Sequence, residues 1–106
     1  MTPQITADDV YKALIEKSDI IFLDVRTPGE FSKERIEGSV NVPVDEVVEK
    51  IEDVISDKNK KVYCYCLSGS RSTVAVDQMV LLGYTSVYSM TNGLLMWRAK
   101  KYPLVG

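Results

Sequence analysis

The feature of this chain that most constrains its fold is an alternation: short apolar segments take turns with longer segments whose apolar residues repeat at helical spacing. Residues 20–25 read Ile-Ile-Phe-Leu-Asp-Val, an almost continuous apolar run that fits a strand covered on both faces. Residues 61–65 and 86–90 are rich in β-branched and aromatic side chains and predict two more strands. Gln4-Ile5 and Val40-Asn41-Val42 predict short extended pieces, and Pro43 holds its predecessor out of helix. Helix signals lie between them. Thr6 precedes the acidic pair Asp8 and Asp9, and Val10, Tyr11, Leu14 and Ile15 then fall on one helical face. Thr27-Pro28-Gly29-Glu30 combines a cap, a proline at the first helical position and a glutamate three residues after the cap, for a short helix ending near Arg35. Residues 45–56 predict a helix with Val47, Val48, Ile51, Val54 and Ile55 on one side. Residues 71–82 predict another, closed by Gly83. After a turn at Asn92-Gly93, residues 94–100 predict a last short helix that Pro103 stops.

Strands that alternate with helices imply βαβ units: an α/β fold with a mainly parallel central sheet and helices on both faces. In such sheets ligands gather outside the carboxyl ends of the strands. Two polar constellations stand at such ends, Asp24-Val25-Arg26 and the segment from Cys66 to Arg71.

Composition narrows the chemistry. The chain has 106 residues, so a single domain over 1–106 is expected. A net charge of -2, with basic residues scattered among acidic ones, speaks against a nucleic-acid partner. The longest unbroken apolar run, residues 62–67, is far shorter than the roughly 20 residues that span a bilayer. No signal-peptide pattern opens the sequence, and a cytoplasmic location with no membrane partner is expected. There is no histidine, which excludes Ser-His-Asp and Cys-His catalysis and any histidine metal site. The two cysteines, Cys64 and Cys66, cannot form a four-thiolate metal site. No disulfide between them is expected, on the reading that their side chains leave a strand on opposite faces.

Cys66 follows a buried strand directly, and Leu67-Ser68-Gly69-Ser70 lead into a helix. Gly69 can take a positive φ, so the loop can curl with its N–H groups inward. The start of the helix adds unpaired N–H groups and the positive end of its dipole. A thiol inside such an anion cradle ionises more readily than a free cysteine, and the thiolate is the attacking species. Arg71 in the first helical turn opposes that dipole, so it calls for a carboxylate partner or a substrate anion; Asp24 and Glu30 are the candidate partners. Cys64 has no such setting and is expected in the core.

The chain resembles the rhodanese-like superfamily of single-domain sulfurtransferases over almost its whole length. Four segments carry the resemblance in order: Asp24-Val25-Arg26-Thr27-Pro28-Gly29-Glu30-Phe31, Ile36-Glu37-Gly38-Ser39-Val40-Asn41-Val42-Pro43, Cys66-x-x-Gly69-x-Arg71-Ser72, and Leu82-Gly83-Tyr84 with Val87-Tyr88 and Gly93-x-x-x-Trp97. The resemblance implies a three-layer α/β sandwich around a five-stranded sheet. It implies that Cys66 takes a sulfane sulfur as a persulfide from thiosulfate or another persulfide and passes it to a thiophilic acceptor. The backbone N–H groups of Leu67, Ser68, Gly69, Ser70 and Arg71 would hold the sulfur or an oxyanion, with Asp24, Arg26 and Glu30 in support. Gly38, Asn41, Pro43, Gly83 and Trp97 would serve the fold. No metal or organic cofactor is implied. The expected partners are a small-molecule or protein-bound sulfur donor and a thiol acceptor, and the expected state is a monomer or weak dimer.

The sequence departs from the family pattern at Glu34-Arg35, where Gly-His is usual, and at Asn92-Gly93, where Gly-Gly is usual. The loop also has no cation besides Arg71, which weakens the case for a dianionic donor. Two other functions share these features. A Cys-dependent phosphatase or arsenate reductase would have five residues between Cys and Arg, and here there are four. A non-catalytic rhodanese-like binding or regulatory module would not need Cys66.

Overall fold

The computed structural model describes residues 1–106. Its strands are β1 (Gln4–Ile5), β2 (Ile21–Asp24), β3 (Val40–Asn41), β4 (Val62–Tyr65) and β5 (Val87–Met90). Its helices are α1 (Ala7–Ile15), α2 (Pro28–Lys33), α3 (Val47–Val54), α4 (Ser70–Leu81) and α5 (Gly93–Ala99), with a single 3-10 turn at Val44–Glu46. The five strands form one sheet in the order β1-β5-β4-β2-β3, and every neighbouring pair is parallel. β2 and β4 are therefore central, and the segments leaving their carboxyl ends emerge side by side, with Asp24 level with Tyr65.

Period-2 alternation sends successive side chains of each strand to opposite faces. On one face Leu23, Val62, Cys64 and Val87 pack under Val47, Ile51, Ala75, Val76 and Met79 of α3 and α4. On the other, Phe22, Tyr65 and Met90 pack under Val10, Ala13, Leu94 and Trp97 of α1 and α5. Helices thus cover both faces of the sheet. No helix is long and apolar enough to cross a membrane.

The predicted caps form. Thr6 Oγ1 accepts the Asp9 N–H at 3.1 Å. At α2, Thr27 Oγ1 accepts the Glu30 N–H at 3.2 Å while Glu30 Oε1 accepts the Thr27 N–H at 3.1 Å, a complete capping box.

Several expectations are corrected. The helix expected over 45–56 begins at Val47, because the chain first makes the tight turn at Val44–Glu46. Its buried stripe holds Val47 and Ile51, with Ile55 just beyond, while Val48 and Val54 turn outward and are 55% and 43% exposed. Val48 lies about 100° round the helix from Val47, at the edge of the stripe, and Val54 is the last residue of α3, at the edge of the core. Ile15 ends α1 beyond the edge of the core and is exposed. Cys64 and Cys66 lie in the same apolar layer, not on opposite faces, because residues two apart on a strand share a face. Two strand residues advance roughly 6.6 Å with parallel Cβ bonds, at the far limit of a disulfide span, and both thiols are free.

Candidate active site

β4 ends at Tyr65, and Cys66 is the first residue past it. The loop from Leu67 to Gly69 is one residue shorter than the sequence suggests, because α4 starts at Ser70 rather than Arg71. The cause is Gly69. It stands at the helix cap with φ +103°, a left-handed conformation that a residue with a Cβ adopts only under strain. That turn brings its own N–H to within 3.1 Å of Cys66 Sγ. The first turn of α4 closes the ring from the other side: the Ser72 N–H points at the sulfur at 3.4 Å, and Ser72 Oγ lies 3.6 Å away. The helix dipole therefore presents its positive end to the thiol.

Burial alone would push the Cys66 thiol toward its neutral form. The N–H groups of Ser72, Gly69 and Ser68 and the Ser72 hydroxyl outweigh that cost and hold the thiol below the usual cysteine range. Cys64, two residues back, has the burial without the donors, and its thiol is pushed well up. Two thiols two residues apart thus differ: the one past the end of β4 is prepared to ionise, and the one within it stays protonated.

A second helix fixes the loop from behind. The Leu94 and Leu95 N–H groups at the start of α5 donate to the carbonyls of Cys66 and Leu67, each at 3.0 Å. With these carbonyls drawn toward α5, the following N–H groups are free to face the sulfur. The approach requires Gly93, since a Cβ there would come within 2.4 Å of the Cys66 carbonyl oxygen.

Arg71 makes a bidentate pair with Glu30, Nη1 to Oε1 at 2.7 Å and Nη2 to Oε2 at 3.1 Å. Of the two candidate partners it takes Glu30, whose carboxyl the guanidinium lowers to about 2. The ion pair neutralises the only cation of the loop and ties the start of α4 to the first turn of α2. Asp24 is occupied elsewhere. Its carboxylate receives Arg26 Nε at 3.1 Å, Arg26 Nη2 at 2.7 Å and the Arg26 backbone N–H at 2.9 Å, and both residues are buried. Arg26 Nη2 also donates to the Glu34 carbonyl, and Asn41 Nδ2 donates to the carbonyls of Asp24 and Arg26. Asp24 and Arg26 therefore shape the edge beside the loop and do not reach the sulfur.

Cys66 itself has no exposed surface, and none of the three cavities of the molecule is lined by it. Above it Leu67 and Arg71 are half-buried, while Ser68 and Ser70 are exposed. Ser72 is a site residue that the sequence marks only as part of a motif. Its signal is its position, the third residue of α4, where an orphan N–H points out of the helix start. Of the predicted loop residues, Gly69 and Ser68 direct N–H groups at the sulfur, and Arg71 faces Glu30.

The sequence matches the rhodanese-like domain over residues 6–100. It is 38% identical over 66 residues to the thiosulfate sulfurtransferase PspE of Escherichia coli (strain K12), a match covering 62% of this chain and 64%, slightly under two thirds, of that protein. It is 31% identical over 86 residues to the thiosulfate sulfurtransferase GlpE of Coxiella burnetii, covering 81% of this chain and 78% of that one. The crystal structure of a rhodanese-related protein from Thermoplasma volcanium superposes with a TM-score of 0.85 at 31% identity, covering 97% of both chains. The parallel sheet, the sulfur-centred loop and these relatives agree: this chain belongs to the rhodanese-like domain family.

Proposed function

We propose that the chain is a rhodanese-type sulfurtransferase in which Cys66 carries a sulfane sulfur as a persulfide. The observation that carries this reading is the ring of donors around Cys66 Sγ, with the Gly69 N–H at 3.1 Å and the Ser72 N–H at 3.4 Å. Hydrogen bonds to a charged acceptor contribute roughly 1.5–3 kcal/mol each, enough for two or three to keep a thiolate in a buried site. Relatives named thiosulfate sulfurtransferase give the reading its reaction class.

The steps balance without a proton donor. The Cys66 thiolate attacks the outer sulfur of the donor, forming a new S–S bond as the donor's own bond to that sulfur breaks. From thiosulfate the leaving group is sulfite; from a persulfide it is a thiolate. The sulfur now bound to Cys66 carries the negative charge and meets the same loop donors. An acceptor thiolate or cyanide then attacks that outer sulfur and regenerates the Cys66 thiolate. Because Cys66 is fully covered, the loop must yield as the donor arrives, and Ser68 and Ser70 are the exposed side chains that can move. The ring is narrow, which suits a single sulfur atom better than a tetrahedral phosphate. Two buried free thiols fit a reducing, cytoplasmic setting.

Intact-protein mass spectrometry after incubation with thiosulfate, and separately with a persulfide donor, tests the proposal. Wild type gains one sulfur atom and loses it to cyanide, and Cys66→Ser gains none. Equal gain by Cys66→Ser, or no gain by wild type from either donor, would end this reading. Aryl phosphate hydrolysis that depends on Cys66 would replace it with a phosphatase.

A further inference from the structure

Behind Cys66, between α4 and β5, two serine hydroxyls form a closed pair. Ser72 and Ser89 are both fully buried, and their Oγ atoms are 2.7 Å apart. Ser89 lies in β5 beside Cys64 of β4. Its hydroxyl has a single hydrogen-bond partner, Ser72 Oγ, whereas Ser72 Oγ also reaches the Gly69 carbonyl at 3.1 Å and Cys66 Sγ at 3.6 Å.

Counting protons decides the direction of the pair. Each serine has one O–H. If Ser72 donated to Ser89, the Ser89 proton would be buried with no acceptor, which costs about 1–3 kcal/mol. Ser89 is therefore the donor, and the single Ser72 proton goes to the Gly69 carbonyl or to Cys66. We propose that Ser89 is a positioning residue for the nucleophile: by donating to Ser72 Oγ, it polarises the Ser72 O–H toward the Gly69–Cys66 side.

Both protonation states of Cys66 then have a complete set of hydrogen bonds. With a thiol, the Cys66 S–H and the Ser89 O–H both donate to Ser72 Oγ, and Ser72 donates to the Gly69 carbonyl. With a thiolate, the Ser72 O–H rotates onto the sulfur and Ser89 stays in place. The Gly69 carbonyl can release Ser72, because it keeps the Thr73 N–H at 3.1 Å and Thr73 Oγ1 at 2.8 Å. One O–H rotation follows the charge on sulfur, and the accepted bond from Ser89 strengthens the donated one. The ionisable groups that bear on Cys66 from the packed elements are Arg71 of α4, paired with Glu30 of α2, and Cys64 of β4; Asp24 of β2 lies beyond, bound to Arg26. Changing Ser89 leaves all of these intact.

This inference rests on the reading of Cys66 as a reactive thiolate. The test is a titration of the thiolate ultraviolet absorbance for wild type, Ser89→Ala, Ser72→Ala and the double variant, each minus its Cys66→Ser counterpart. Thermal melts accompany each protein, and Ser89→Thr serves as a second variant that keeps the hydroxyl. Ser89→Ala raises the Cys66 midpoint by about half a pH unit, the size of one modest hydrogen bond. Ser89→Thr restores it, and Ser89→Ala shifts nothing further in the Ser72→Ala background. An unchanged midpoint in Ser89→Ala, or an equal shift with Ser72 absent, overturns the positioning role while leaving the Cys66 reading in place. A wild-type midpoint no lower than that of a free cysteine, about 8.5, overturns both.

Discussion

Glu30 holds two roles on one carboxylate. Oε1 accepts the Thr27 N–H and so starts α2, and both oxygens hold Arg71. The substitution Glu30→Gln separates these roles, since an amide oxygen still accepts the Thr27 N–H but brings no charge. With its countercharge gone, Arg71 becomes a free cation at the mouth of the loop. We expect kcat/KM for thiosulfate to rise several-fold in Glu30→Gln, with less change for an uncharged trisulfide donor. Steady-state kinetics with both donors check this, and equal changes for the two would show that Arg71 does not meet the donor. The same pair has a pH signature. The Glu30 carboxyl titrates at about 2, below an unfolded value near 4.3. A depressed carboxyl stabilises the fold fully above the unfolded value, and loses that contribution as pH falls through the folded one. The stability gap between wild type and Glu30→Gln is thus constant above about pH 5 and closes toward pH 2. Both side chains are about one-third exposed, so the gap is small, at most about 1 kcal/mol. Urea titrations at several pH values measure it.

At the scale of elements, two helix starts converge on one loop, and their glycines mark the points of contact. Gly93→Ala puts a Cβ against the Cys66 and Leu67 carbonyls, where the nearest atoms would be 2.4 and 2.6 Å away. Relief requires α5 to back off from the loop, at a cost of about 1–3 kcal/mol. The expected outcome is a lower denaturation midpoint together with a Cys66 midpoint moved toward that of a free thiol, both read on the purified variant. Much of this arrangement is legible in the sequence. The strand–cysteine–glycine–helix order at 61–82 and the capping box at Thr27 depend on local chemistry, and local chemistry is written in adjacent residues. The clamp from Leu94 and Leu95, the choice of Glu30 over Asp24, and the Ser72–Ser89 pair are not. Each joins residues brought together only by the strand order, which places β5 on one side of β4 and β2, leading into α2, on the other. The misreading of Val48 and Val54 has another origin: apolar residues at nearly helical spacing say that a face is apolar, not how wide a stripe the sheet can cover.

Across the whole molecule the sheet divides the core into two layers. Ile51 anchors the α3–α4 layer and Trp97 the α1–α5 layer, and both are fully buried. Trp97 adds an Nε1–H bond to the Pro103 carbonyl at 2.9 Å and edge contacts with Tyr11 and Tyr102. We expect Trp97→Ala to cost about 3–5 kcal/mol and Ile51→Ala about 2–5 kcal/mol, against a total near 5–15 kcal/mol. With the sheet between them, the two losses should add within roughly 0.5 kcal/mol. Equilibrium denaturation of the singles and the double, where it still folds, checks both figures. The clamp on the loop carbonyls has a consequence for protein engineering. The peptide planes that face the sulfur are held by α4 in front and by α5 behind, from a segment more than twenty residues downstream. A hexapeptide copied from Cys66 to Arg71 into another strand–helix junction would keep its letters and lose its orientation. The portable unit is the pair of parallel strands β4 and β5 with the helix that follows each, and a graft of that size is the smallest that should bring the reactive thiol with it.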